Sequence, residues 1–480
     1  MPGAHDAALP RIRRPVVIGR VGSVQMSASR SDVGIALAAS SVSVVVGVSI
    51  VANPILAFAP IAVLGGALLL TDGRARTLLV VFGGMLLLQR PGELDMSKLA
   101  FLAACAVAFA GALANVRTLR RTPAYEAARP LLAGSVAVVG LAGISLGVAY
   151  AGGTPVTEWL RDIAPYVLFA SVPVFAVDAQ ASFGLRRLLH LLVVAGVLGV
   201  AAWTVEWLDR RGIAHFEVSR IAVASLFVPA ALFAYAMASA LHERAKRLVW
   251  LVVAAAILAL LFSTGTRSTL ALVGVPLAIA LLIRRERVNR TMRLLALGPL
   301  AALLTLAVAL AVIGVTGADT ESLEERLALV TVTADPEKDL SYNDRVEQSQ
   351  VALDAFKAHP MLGTGPGTRF DWVTHDGRQM SDFILDTPMT FPAKFGALGL
   401  LVVLFVMATF FVFGRRLMRG RPPTVANLAL LGYLAVVAAL AVLAPPFEDK
   451  GLSFGLILTL ALALGEASPP AAARPEARPV

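Results

Sequence analysis

Long runs without charged residues dominate this chain and constrain its fold more than any other feature. A bilayer core about 30 Å thick is crossed by a helix of roughly 20 apolar residues, and runs of that kind recur between charged positions throughout the sequence. Because 57% of the 480 side chains are apolar and only 15% are charged, a water-soluble globule and a disordered chain are both excluded. The runs predict an all-α, polytopic membrane protein of about 14 spans, at 34–51, 54–71, 77–89, 99–115, 130–150, 163–177, 188–205, 221–241, 248–263, 268–283, 294–316, 395–413, 424–443 and 451–465.

The basic residues between these spans predict the orientation. The chain has 42 Lys and Arg against 32 Asp and Glu, a formal charge of +10. With both termini in the cytoplasm, most of the Lys and Arg fall in inner segments, as the positive-inside rule requires. The excess charge is therefore interpreted as a topology signal and not as a nucleic-acid-binding surface. Membrane lipids are expected partners, and nucleic acid is not.

The same pattern predicts how the chain is organised. One long hydrophilic segment, 317–392, lies late in the chain and on the outer face, and it is the predicted catalytic loop. The outer loop is itself predicted to be helical, in keeping with an all-α fold. The predicted regions are a cytoplasmic tail at 1–33, a bundle of about 11 helices at 34–316, the loop at 317–392, about three helices at 393–465, and a disordered cytoplasmic tail at 466–480.

A polar turn between two apolar spans, Phe262-Ser-Thr-Gly-Thr-Arg-Ser-Thr269, contains the first candidate site residue, Arg267. An arginine in this position can be an interfacial anchor that reaches the lipid headgroups. The alternative is a diphosphate cradle, because a guanidinium beside hydroxyl and backbone N–H groups binds phosphate oxygens. Arg220, at the start of the eighth span on the same face, has the same two interpretations. The candidate binding residues of the turn are Ser263, Thr266 and Ser268.

Apolar periodicity in the outer loop predicts a helix from about Asp344 to Ala358, with Val346, Leu353 and Phe356 on the face toward the bundle. Arg345 then falls in the first turn of this helix. A cation there opposes the helix dipole unless an acid or an anion lies nearby, so we expect a partner for Arg345.

A glycine-rich turn follows this helix and ends in Arg369. It lacks the Gly-Lys-Ser/Thr of a nucleotide-binding loop, so it is either a structural turn or a nest of backbone N–H groups facing a ligand. Its candidate binding residues are Gly363, Gly365, Gly367 and Arg369. No two histidines of the loop lie three or four residues apart and no acidic triplet repeats, so neither a metal site nor a cofactor is predicted.

The segment from Ser341 to Phe370 resembles the loop of the O-antigen ligase and polymerase superfamily, which has an arginine, a helix and the pattern hPlxGxGxgxF. The turn around Arg267 resembles the T-x-S-R turn of that family, and Gly396-Ala-Leu-Gly399-Leu-Leu resembles the GxxGLL opening of its next span. The resemblance implies a GT-C-type glycosyltransferase of the bacterial cytoplasmic membrane with its active site on the extracytoplasmic face. It also implies a polyprenyl-pyrophosphate-linked glycan as donor, a glycan or lipid-glycan as acceptor, and pyrophosphate binding by Arg220, Arg267 and Arg345.

One motif of the family is missing. Its ligases have HNxxL shortly before GxxGLL, whereas this chain reads Leu385-Asp-Thr-Pro-Met-Thr-Phe-Pro-Ala-Lys394-Phe, with no histidine. Asp386 or His375 could accept the proton of the acceptor hydroxyl instead, or the reaction needs no strong base. A polymerase and a ligase both remain open, and transfer is predicted to be independent of metal.

Two other classes of protein compete with this interpretation. A transporter or a lipid-linked glycan flippase would have inverted repeats and charged or broken helices at the midplane, and the sequence has neither. Its ionisable residues at spans, Lys98, Asp162, Asp178 and Glu206, fall at predicted span ends. A non-catalytic membrane scaffold with decayed motifs is the third class, and the missing histidine is the feature that favours it.

Overall fold

The computed structural model describes residues 54–88, 96–209, 217–263, 340–374, 377–418, 424–443 and 450–467. Most of these residues are helical, and by their contacts the chain divides into two units, residues 1–65 and 66–480. The site described below lies in the second unit. The helices are α1 (Pro54–Thr71), α2 (Gly73–Leu78), α3 (Gly84–Leu87), α4 (Met96–Ala114), α5 (Val116–Leu119), α6 (Pro123–Ala151), α7 (Val156–Asp209), α8 (Glu217–His242), α9 (Arg247–Ser263), α10 (Leu340–Ala358), α11 (Thr390–Met418), α12 (Val425–Leu443) and α13 (Lys450–Ala467), and a π-helix, Leu79–Gly83, joins α2 to α3.

Several of the described helices are suited to a bilayer, as the apolar runs predicted. Four are long and apolar enough to cross it, namely Met96–Ala114, Pro123–Ala151, Val156–Ala202 and Thr390–Leu417. Shorter apolar helices lie at Phe227–His242, Arg247–Leu258, Val425–Ala438 and Gly451–Glu466. The predicted spans at 34–51, 268–283 and 294–316 lie outside the described residues. The number of 14 spans and the orientation therefore stay predictions.

Helix α7 lies at the centre of the bundle and packs against α6, α8 and α13. It is two helical segments, because Gly184 has φ 69° and ψ 165°, which no helix contains. The sequence predicted two spans here, 163–177 and 188–205, and one falls on each side of this glycine.

Two buried aspartates mark the first segment of α7. Asp162 and Asp178 are 16 residues apart, about 24 Å along a helix at 1.5 Å per residue, and both are almost completely buried. Asp178 accepts hydrogen bonds from Nε and Nη2 of Arg76 at 2.7 and 2.8 Å. Nη1 of the same arginine donates to the carbonyls of Leu69 and Leu70, which end α1. Arg76 is one of the basic residues that the positive-inside rule places between predicted spans. Its guanidinium also joins α1, α2 and α7 through these hydrogen bonds.

A small antiparallel hairpin shows that the all-α prediction was incomplete. Strands β1 (Phe370–Val373) and β2 (Gln379–Asp382) pair with Phe370 opposite Asp382 and Trp372 opposite Met380. Phe370 and Trp372 are buried in a cluster with Ala352 of α10, Leu385 and Ala393. Four-residue strands are too short to show an alternating pattern that distinguishes them from a loop, so the sequence gives little sign of them.

Helix α10 also differs from its prediction. It begins at Leu340, so Arg345 lies in the second turn and not in the first. The face that packs consists of Gln348 and Ala352, which are buried, whereas Val346 is 51% exposed. Ala352 packs against Phe370 and Trp372 of the hairpin, and Gln348 accepts the N–H of Asp386. These tertiary contacts, and not the modest apolar periodicity, decide which face of the helix is buried.

Candidate active site

Two backbone segments, 360–365 and 393–398, are joined side by side, and we call this pair the clasp. Thr364 and Gly365 donate their N–H groups to the carbonyls of Ala393 and Lys394 at 2.9 and 3.0 Å. In the other direction Ala397 and Leu398 donate to the carbonyls of Pro360 and Met361 at 2.8 and 3.2 Å. The clasp therefore fixes the glycine-rich turn against the start of α11.

Glycines at two positions of the clasp make this approach possible. Gly363 has φ 70° and Gly396 has φ 61°, in the left-handed region that favours glycine. A Cβ on Gly363 would overlap the backbone of Lys394 and Phe395, and one on Gly396 would overlap the backbone of Met361 and Leu362. Gly396 also breaks α11 into a short first segment and the long apolar helix.

Lys394 of the clasp forms a buried ion pair with Asp162 of α7. Lys394 Nζ is 2.7 Å from Asp162 Oδ1, and the two side chains are 0% and 1% exposed. The other carboxylate oxygen of Asp162 accepts the N–H of Gly367 at 2.7 Å. One aspartate thus ties α7, the glycine-rich turn and the start of α11 together.

An aromatic cluster and an apolar groove lie next to this ion pair. The rings of Tyr166, Phe391 and Phe395 contact one another, with centroids 4.9 to 5.8 Å apart. They line one end of a narrow apolar groove between α6, α7 and α11, whose cavity volume is about 10 Å³. The rest of its lining is aliphatic: Val138, Leu141, Ala142, Ile163, Val402, Val403 and Val406.

Two predicted catalytic residues, Arg345 of α10 and Asp386 of the segment before α11, are in contact. Nε and Nη2 of Arg345 donate to Asp386 Oδ2 at 3.1 and 2.8 Å, and the side chains are 44% and 51% exposed. The segment around Asp386 is held to α10, since Gln348 accepts the N–H of Asp386 and Ser349 hydrogen-bonds with Thr387. This arrangement leaves an arginine and a carboxylate together and accessible to solvent.

The predicted binding residue Arg369 lies on an aromatic ring. Its Cζ is 4.4 Å from the ring centroid of Phe383, and Cζ of Arg161 is 4.8 Å from the same centroid. Nη2 of Arg369 is also 3.5 Å from Oε1 of Glu158. Two guanidinium groups from distant parts of the chain therefore share one ring.

The glycine-rich turn has a packing role in the structure. The N–H groups of Gly363, Gly365 and Gly367 donate to His359, Lys394 and Asp162 respectively. Their role in binding substrate stays a prediction, and it would have to use other atoms than these N–H groups.

The remaining predicted site residues are not placed by the structure. Arg220 and Ser263 lie in α8 and α9, but their side chains are outside the described residues. Arg267, Thr266, Ser268 and His375 lie outside the described residues entirely.

Sequence reasoning did not select four residues that the structure brings into this region: Asp162, Lys394, Arg161 and Phe383. One signal was present for the first two. Lys394 interrupts the apolar stretch from Phe391 to Phe395, and Asp162 lies at the edge of a span. Ionisable residues in such surroundings are usually paired, but the sequence does not tell which residue is the partner.

An ion pair on α10, between Asp354 and Lys357, is exposed, unlike the buried pair of Lys394 with Asp162. Asp354 accepts hydrogen bonds from Gln350 and Lys357, which lower the pKa of its carboxyl group. Its ion pair with Lys357, at 3.0 Å, is exposed on both sides.

Among the described residues, no group of three or more His, Cys, Asp or Glu side chains could hold a metal ion. The metal independence of the reaction stays a prediction.

A comparison with protein families identifies this region. The profile of a family described as O-antigen ligase matches residues 250–390. Residues 250–390 are O-antigen ligase-like. The resemblance seen in the loop is thereby confirmed, and the matched segment contains both Arg345 and Asp386. No curated protein matches the chain. With the apolar helices, the family makes this chain in general terms a bacterial membrane protein of the glycan ligase and polymerase type.

Proposed function

We propose that this O-antigen ligase-like protein transfers a glycan from a polyprenyl-pyrophosphate donor to a sugar or cell-envelope acceptor at the outer face of the cytoplasmic membrane, without a metal ion. The observation that carries the proposal is the exposed contact of Arg345 with Asp386 inside the family segment. A cation for the leaving group and a carboxylate for the acceptor proton are the two groups that such a transfer needs.

In the proposed reaction the acceptor hydroxyl attacks the anomeric carbon of the donor glycan. A new glycosidic C–O bond forms, the bond to the pyrophosphate oxygen breaks, and the hydroxyl proton passes to the Asp386 carboxylate. Polyprenyl pyrophosphate leaves with its added negative charge, which Arg345 stabilises. Arg220 and Arg267 are proposed to add to this stabilisation, as the family resemblance implies.

The contact between the two residues couples these roles. While Arg345 lies on Asp386, Oδ2 of the carboxylate is occupied by two hydrogen bonds from the guanidinium. A pyrophosphate that attracts the guanidinium would release the carboxylate next to the reacting centre. The base then becomes available when the donor is bound.

The experiment is glycosyl transfer in nanodiscs with a polyprenyl-pyrophosphate oligosaccharide donor and EDTA present. We expect Arg345→Ala, Asp386→Asn and Arg267→Ala each to lower the transfer rate by on the order of 10²–10³, the usual loss of one transition-state contact. The product pattern on gels separates a polymerase, which makes a ladder, from a ligase, which makes a single addition to an added acceptor.

The matched controls are Lys357→Gln and Asp354→Asn, which break another exposed ion pair of the same helix, at 3.0 Å. Since solvent screens exposed ion pairs and they contribute little to stability, both controls should transfer at nearly the wild-type rate. Equal rates for the Arg345, Asp386 and control variants would reduce the contact to a surface ion pair and contradict the proposal. The proposal would also be contradicted if the protein never released polyprenyl pyrophosphate but moved the lipid-linked donor between the two leaflets of liposomes.

A further inference from the structure

The ring of Phe383 brings together two arginines that are far apart in the sequence. Phe383 is 8% exposed and follows β2, Arg369 ends the glycine-rich turn, and Arg161 lies in the first turns of α7. The two Cζ atoms lie 4.4 and 4.8 Å from the ring centroid. Contacts of this kind hold a guanidinium in a fixed place by its attraction to the aromatic ring.

Of the acidic residues next to these two arginines, only Glu158 pairs with one of them in the described part of the chain. The carboxylate of Asp162, next to Arg161 in the chain, is engaged by Lys394 and by the N–H of Gly367. Glu158 contacts Arg369 at 3.5 Å, a long distance for an ion pair. Within the described ranges, no carboxylate forms an ion pair with Arg161. Asp382, adjacent to Phe383, accepts a hydrogen bond from Trp372.

The two guanidinium groups are also accessible. The side chain of Arg369 is 51% exposed, and Arg161 is partly exposed. An interfacial anchor would be a long side chain free to reach any headgroup, whereas these two are held on a buried ring. Because they occupy the ring, Phe383 is a poor platform for stacking a sugar, and the hydrogen-bond donors are the groups left for a ligand.

Each guanidinium is a planar, permanently charged fork that can contact an oxyanion with two parallel hydrogen bonds. Because both groups lie against one ring, their Cζ atoms are at most about 9 Å apart, which a single oxyanion can bridge. Holding them on the ring before binding removes much of the entropy cost of ordering arginine side chains. We propose that Arg161 and Arg369, positioned by Phe383, form a binding site for a carboxylate or phosphate group. Such a group can be carried by an acidic glycan or by the headgroup of an anionic lipid.

The test measures binding of two probes to the full-length protein in nanodiscs. The first is a galacturonic acid trisaccharide titrated into phosphatidylcholine nanodiscs, with a galactose trisaccharide as the neutral control. The second is phosphatidylglycerol, added to the nanodisc lipid, with the thermal unfolding midpoint as the signal because a ligand that binds the folded state raises it. The variants are Arg161→Gln, Arg369→Gln, Arg369→Lys and, as the matched control in the same loop, Arg378→Gln.

If the glycan carries the oxyanion, the acidic trisaccharide binds wild type, and Arg161→Gln and Arg369→Gln each weaken it about tenfold, the usual effect of losing a charged hydrogen bond. If the lipid carries it, phosphatidylglycerol stabilises wild type and Arg378→Gln but not the other glutamine variants. Arg369→Lys, which keeps the charge but loses the planar fork, should fall between wild type and glutamine.

The proposal is overturned if both probes behave alike with Arg161→Gln, Arg369→Gln and Arg378→Gln, since the effect would then be one of overall charge. Should Arg161→Gln not fold, Arg369→Gln decides alone, because that side chain lies half exposed at the surface. This binding assay needs no glycosyl transfer, so its result is independent of the proposed reaction.

Discussion

Replacing Lys394 with methionine is expected to destabilise the folded protein by roughly 3–5 kcal/mol, because the substitution leaves the carboxylate of Asp162 buried without its cation. The pair is 2.7 Å apart and the side chains are 0% and 1% exposed, so water cannot replace the lost ammonium group. The measurement is the thermal unfolding midpoint of the purified protein in detergent.

Two further variants show whether burial of an unpaired charge is the cause. Lys394→Met combined with Asp162→Asn removes both charges and should recover most of the loss, since an asparagine oxygen can still accept the N–H of Gly367. Lys357→Met breaks the exposed ion pair with Asp354, and its unfolding midpoint should stay close to that of the wild type because solvent screens such a pair. If Lys394→Met unfolds at the same temperature as Lys357→Met, the buried pair contributes nothing to the fold and our account of the clasp is wrong.

Adding a single methyl group at Gly363 or Gly396 is expected to have a comparable effect. Each alanine would have to keep a left-handed φ, 70° or 61°, and would also overlap backbone atoms of the opposite segment of the clasp. Because backbone atoms cannot rotate away as a side chain can, we expect a loss of roughly 2–6 kcal/mol from strain and overlap together.

Gly377 provides the matched control for this pair. It has φ 80°, but nothing lies within 4 Å of the position that its Cβ would take. Gly377→Ala therefore measures the cost of the left-handed conformation alone, about 1–2 kcal/mol. Unfolding midpoints that fall equally for all three alanine variants would show that backbone conformation, and not close approach, explains the glycines of the clasp.

Gly363 and Gly396 lie in the segments that resemble the family motifs. In the sequence, the glycines after Met361 and the glycine before Ala397 are parts of two separate motifs. In the structure Gly363 and Gly396 lie on facing segments of the clasp. Each position lacks a side chain because the backbone of the opposite segment occupies the space where its Cβ would be. The motifs therefore describe one contact between two segments.

The helical architecture could be predicted because it depends on local composition. A run such as 130–150 has to be a helix in a bilayer, since only hydrogen bonds within the segment satisfy its backbone there, and α6 covers it. The limits of helices were less accurate where composition is mixed. Helix α10 begins four residues before its predicted start at Asp344, and a hairpin of two short strands was missed.

Part of the candidate site could also be predicted. Arg345 was expected to need an acidic or anionic partner, and the structure provides Asp386, which was itself selected as a possible base. The two are 41 residues apart, and their selection rested on residue type and on a family resemblance. That they touch was not predicted, because no periodicity connects positions on different elements.

Hydrophobic length and short motifs are properties of neighbouring residues, so the sequence was enough to predict a helical membrane protein with an O-antigen ligase-like segment. The packing of distant segments was needed to show that Lys394 pairs with Asp162, 232 residues away, and that Arg161 and Arg369 both contact the ring of Phe383. The physical reason is that a buried charge must have a partner, but which partner it has depends on how the helices pack.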